Sequence, residues 1–134
     1  MSSVGPGIPP EMAKEHLGRG QELIFTLVGT SMWPWMGRGG AEVHVQPLDD
    51  SAWRVGARVL ITANERLILH RVVALEAERA LVKGDNNRFV DGWYAREELL
   101  GVLPAAPSDR AIAWLSRVPG HPISTLWAIW RRLF

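Results

Sequence analysis

Ser31, His70, Asp85 and Asp91 are the side chains of this sequence whose types and order could support nucleophilic chemistry. A neutral serine hydroxyl is a weak nucleophile and needs a base within hydrogen-bond reach. Imidazole, with its near-neutral proton affinity, is well suited to that task. A Ser–His pair in turn needs a third group to hold the imidazole tautomer and offset the charge it gains. Asp85 in "KGDNN" and Asp91 in "VDGWY", six positions apart, are two carboxylates that could do so. Each residue alone also has a plainer reading. Ser31 could be a turn serine bonded to local backbone, His70 a core histidine on a carbonyl, and both aspartates turn formers.

The surroundings of Ser31 are unusual for a turn. The apolar run "ELIFTLV" ends in Gly29, Thr30 and Ser31, followed at once by Met32, Trp33, Pro34 and Trp35. A nucleophile beside an apolar groove fits that company better than an ordinary surface turn. The other histidines have weaker claims: His16 falls on an early helix, His44 on an alternating strand and His121 among prolines. Cysteine is absent, and no H-x-x-x-H pair or carboxylate cluster of ligand spacing exists, so neither a metal nor another cofactor is expected.

Several elements must position these residues. Pro9 and Pro10 followed by "EMAKEHLGRG" suit a short helix, with Gly18 and Gly20 at its end; residues 1–8 read as a loose tail. "ELIFTLV" and the alternating "AEVHVQPL" read as strands. "ARVLIT" and "RLILHRVVAL", separated by "ANE", form a hairpin, and "ERALV" follows another tight turn. On this reading His70 shares a strand face with Ile68 and Val72 and points to the packed side. "KGDNN" is a dense turn signal, and "RFVDGWYAREE" reads as a loop leading to a last strand, "LLGVLP". "SDRAIAWLSRV" is helical, with Ser108 as N-cap and an apolar stripe at Ile112 and Leu115. In "ISTLWAIWRRLF", Trp127, Trp130, Leu133 and Phe134 share one helical face near Arg131 and Arg132.

The boxes resemble a known family. "GTSMWP" is similar to the serine box of the signal peptidase I superfamily, in which Ser-Met-x-Pro carries the nucleophile. "HRVV" followed by "KGDNN" resembles the second and third boxes of its archaeal and endoplasmic-reticulum branch, which uses histidine where the bacterial branch uses lysine. That branch has a second aspartate six positions after the first, where Asp91 stands. Order and spacing agree over about residues 21–103. Lysine usage favours the histidine branch: Lys14 and Lys83 are the only lysines among 15 basic residues, and neither stands at position 70.

The resemblance implies a mainly β domain of the coiled signal-peptidase and SOS-repressor type over residues 21–107. A tail and short helix (1–20) would precede it and a helical extension (108–134) follow. It implies that Ser31 is the acylated nucleophile, His70 its general base and Asp91 the group that orients His70. Asp85 supports the loop or the imidazolium, and Met32 and Pro34 shape the nucleophile turn. The expected activity is serine endopeptidase cleavage of an extended polypeptide, paired with the domain as an added strand.

One departure bears on rate. Where the family often places a hydroxyl residue that helps hold the oxyanion, this chain has Gly29, leaving either the Ser31 backbone N–H alone or that N–H with Thr30 turned in as a second donor. Loss of one such donor typically costs about 10²–10³ in rate, so the alternative is a weakly active or inactive peptide-binding pseudo-peptidase. A formal charge of +1 gives no net electrostatic reason to expect a nucleic-acid partner. No signal peptide and no run of roughly 18 apolar residues is visible, so the family's membrane anchor before the serine box is absent from this sequence. A cytoplasmic location is expected; 123–134 would pack on the domain, form a dimer or make a peripheral membrane contact, since about 12 helical residues rise only some 18 Å.

Overall fold

In a computed structural model of the chain, residues 3–4, 8–26, 42–85, 87 and 89–116 are described. The nucleophile turn (Gly29, Thr30, Ser31, Met32, Pro34) and the C-terminal segment 123–134 lie outside the described residues. The elements are β1 (Ser3–Val4), α1 (Pro10–Gly18), β2 (Leu23–Thr26), β3 (Glu42–Val45), β4 (Arg58–Ala63), β5 (Arg66–Glu76), β6 (Arg79–Lys83), β7 (Gly92–Ala95), β8 (Gly101–Val102) and α2 (Asp109–Ser116). The chain is therefore mainly β, as its alternating runs indicate.

Two sheets carry the strands. The smaller has the order β1-β2-β3, and the larger β7-β6-β5-β4-β8. They meet where Gln46, just past β3, bridges Val102 of β8 through reciprocal backbone bonds of 2.8 and 3.0 Å. Tight two-residue connections build the large sheet. Asn64 and Glu65 both take positive φ (51° and 62°) between β4 and β5, the geometry that matches strand twist in a hairpin. Ala77 (φ 39°) does similar work between β5 and β6.

Alternation along β4 and β5 divides the core. Leu60 and Leu69 face a cluster with Ala13 and Leu17 of α1, Leu23, Val45 and Leu103. Val59, Ile61 and Val72 face a second cluster with Ala80, Val82 and Leu99. Because successive strand residues point to opposite faces, His70 falls on the side of Val72, and Arg71 on the other.

Three local readings of the sequence need correction. Residues 3–4 are not a loose tail but pair in parallel with β2, Ser3 opposite Ile24. "GWYA", read as loop, is strand β7, paired antiparallel with β6 from Arg79↔Ala95 to Val82↔Gly92. Its side chains are exposed or half-buried without alternation, so no period of two marked it. α2 is bound into the domain rather than appended to it: Ile112, Ala113 and Ser116 are buried, and a Cβ at Gly56 would lie 2.8 Å from the Asp109 carbonyl carbon. Glycine at 56, with φ 99°, lets the helix start sit directly on the turn before β4.

Candidate active site

Strand β5 delivers His70 into the large sheet with 4% of its surface exposed. Its Nδ1–H donates to Asp91 Oδ2 at 2.5 Å. A carboxylate so placed fixes the tautomer, with the proton on Nδ1 and the lone pair on Nε2. Asp91 is itself positioned by backbone, its N–H donating to Val82 O at 2.7 Å where β7 begins to pair with β6. Sequence spacing and fold thus bring His70 and Asp91 together.

The Nε2 side of the ring is shaped by a glycine. Extending the β5–β6 register past Arg71↔Lys83 brings His70 opposite Gly84. A Cβ at Gly84 would lie 2.9 Å from His70 Nε2 and 2.6 Å from Asn87 Nδ2. Any larger residue there must displace the imidazole or Asn87. The Gly84–Asn87 turn is closed by the Asn87 N–H donating to Gly84 O at 3.0 Å. Glycine in "KGDNN" therefore serves close approach as well as turn formation.

Asp85, the other candidate carboxylate, supports the site from the opposite side. It is fully buried and accepts from Arg71 Nε at 2.9 Å and Nη2 at 2.9 Å, a bidentate pair. Burial pushes its carboxyl above the ordinary range, while Arg71, Lys83 and His70 oppose that rise. Arg71 Nη1 also donates to Asp109 Oδ1 and to Gly56 O, both at 2.9 Å. Asp109 completes the network with Arg54 at 3.3 Å, Arg58 at 3.6 Å and the Ala106 N–H at 2.8 Å. This cluster ties β5, the "KGDNN" turn and the start of α2 into one unit.

Sequence reasoning did not single out Arg71, Asp109, Lys83 or Ser116, all buried. A signal existed for Arg71: an arginine inside the otherwise apolar run "RVV" requires a counter-charge if the strand is covered on both faces. The partners themselves lie 14 and 38 positions away and leave no local trace.

Of the remaining histidines, His44 Nδ1 pairs with Glu22 Oε1 at 2.7 Å, and His16 Nε2 lies 3.1 Å from Glu22 O. Two apolar side chains precede Asp91 in sequence, Phe89 (75% exposed) and Val90 (46%), while Trp93 beyond it stacks under Arg79 at 5.0 Å. They give the outer end of this loop an apolar surface. Among the described residues, no three or more His, Asp or Glu side chains are grouped to hold a metal ion, and no helix is long and apolar enough to cross a membrane. Comparison with protein-family models, with curated proteins and with solved structures found no match.

Proposed function

We propose that this protein is a serine endopeptidase of the signal-peptidase type, cleaving an extended polypeptide through an acyl-enzyme. The observation that carries the reading is the partly buried His70–Asp91 pair at 2.5 Å, at the spacing the serine, histidine and aspartate boxes require. The two joined sheets are compatible with the coiled sheet of that family.

In this mechanism Ser31 Oγ attacks the scissile carbonyl while His70 Nε2 takes its proton. Asp91 holds the Nδ1–H and stabilises the imidazolium that forms. The imidazolium then protonates the leaving amine, and a water, deprotonated by the same nitrogen, releases the acyl group. The Ser31 backbone N–H, with Thr30, holds the oxyanion. Residues 123–134 would supply interfacial contact where the substrate lies at a membrane.

A fluorophosphonate probe tests the reading directly. Labelling is expected at Ser31, absent in Ser31→Ala and lowered about 10²–10⁴-fold in His70→Ala, with circular dichroism unchanged in both variants. The alternative of a peptide-binding pseudo-peptidase is favoured by Gly29 alone. Peptide binding without any Ser31 labelling would establish it in place of the peptidase.

A further inference from the structure

Asn87 takes no part in the steps assigned to Ser31, His70 and Asp91, although its side chain reaches the reacting end of the imidazole. A carbon built on Gly84 would stand 2.9 Å from His70 Nε2 and 2.6 Å from Asn87 Nδ2. The two nitrogens therefore lie no farther apart than those two distances laid end to end. Asn87 Cγ would be 3.0 Å from the same point, so the carboxamide rests against the glycine as a whole group. The turn holds it there. The Asn87 N–H donates to Gly84 O at 3.0 Å, and Gly84 follows directly on β6. Asp85, between them, is locked by its buried bidentate bond to Arg71.

The half-buried carboxamide of Asn87 makes no hydrogen bond to any described residue. A neutral amide donor beside Nε2 suits one step in particular. When Ser31 attacks, its own hydroxyl supplies the proton that Nε2 takes. In the acyl-enzyme that oxygen is esterified and has no proton to give. Nε2 must then take the proton from a water, which no covalent bond holds in place and which must also aim a lone pair at the acyl carbon. An amide N–H donating to the water oxygen engages one lone pair and leaves the other for attack. Unlike a carboxylate, an amide does not compete with the imidazole for the proton.

We propose that Asn87 binds and orients the water that hydrolyses the acyl-enzyme: its Nδ2–H donates to the water oxygen while that water gives a proton to His70 Nε2. The water oxygen bonds to the acyl carbon. The tetrahedral intermediate then expels the Ser31 oxygen, which takes the proton back from the imidazolium, and a carboxylic acid is released. The inference deepens the peptidase reading and rests on it.

The test separates acylation from hydrolysis in the full chain. Fluorophosphonate labelling reports attack by Ser31 alone. The decay of an acetyl group donated by p-nitrophenyl acetate, followed by intact mass once the reagent is removed, reports attack by water. Two variants are compared, Asn87→Ala and Asn87→Leu, the second keeping the bulk of the side chain without its donor. With circular dichroism unchanged, both are expected to label at the wild-type rate and to hold the acetyl group about tenfold longer, the worth of one hydrogen bond. Asn87→Gln, which restores an amide, is expected to recover part of the loss. Variants that hold the acetyl group no longer than wild type overturn the proposal. A parallel fall in labelling and hydrolysis also overturns it, since Asn87 would then only prop the imidazole. A wild-type chain that takes up neither phosphonate nor acetyl at Ser31 sinks the peptidase reading itself, and the role of Asn87 with it.

Discussion

His70 and Arg71, neighbours on β5, enter two charge pairs of opposite character. The His70–Asp91 pair keeps some access to solvent, with side-chain exposures of 5% and 18%. The Arg71–Asp85 pair has 1% and 0%, and Asp109 adds a second buried carboxylate. One pair contains an imidazole, a side chain type that can take up and release a proton, whereas the other is built on a guanidinium that never gives up its proton. The imidazole pair lies on one face of the strand and the guanidinium network on the other. Adjacent residues serve opposite faces because strand side chains alternate.

If that division is right, loss of activity and loss of stability should dissociate between the pairs. Asp91→Asn is expected to give the largest effect, a fall in turnover on the order of 10⁴ through the wrong imidazole tautomer. The urea midpoint should move little, corresponding to at most about 1–2 kcal/mol for one partly exposed hydrogen bond. A variant equally impaired in folding and activity would erase the distinction between the faces.

Arg71→Met tests the other side. It leaves Asp85 and Asp109 buried with reduced compensation and should cost about 3–5 kcal/mol of stability, read from urea unfolding. Activity per folded molecule should survive far better than in Asp91→Asn. A stable Arg71→Met protein with no activity would place Arg71 in the chemistry.

The smallest effect sharpens the contrast through pH. The Lys83 amine lies below its ordinary value of 10.5 in the fold. Between the lowered folded value and 10.5, the unfolded chain therefore binds more protons than the native one. Across that window wild-type stability should rise with pH relative to Lys83→Met. Parallel stability curves for the two proteins above neutral pH would contradict this.

Much of the large sheet could be read locally. The β4–β5–β6 meander announces itself through alternation and polar two-residue turns, and α1 through its prolines and terminal glycines. β1 and β7 could not be read in this way. A two-residue parallel pairing with β2 has no sequence period, and β7 presents no consistently buried face. Ser31 and Asp91 stood out by box spacing, whereas Lys83 entered the sequence reading only as part of a turn. Its partner Ser116 lies 33 positions away, across the last strand and the start of α2.

The sequence by itself determined the chemical inventory: no cysteine, two lysines, one serine–histidine–aspartate series, and a strand that carries histidine and arginine side by side. It also determined which face each of those two must take, since a period of two is a local property of the backbone. Only the tertiary structure decided the partners. Asp85 and Asp91 are both carboxylates following the same strand, and nothing local distinguishes the counter-ion of Arg71 from the hydrogen-bond acceptor of His70. The choice depends on where the turn after β6 closes and on α2 returning to place Asp109 beside Arg71 and Ser116 beside Lys83. Those are long-range contacts, fixed when the chain collapses around its two apolar clusters.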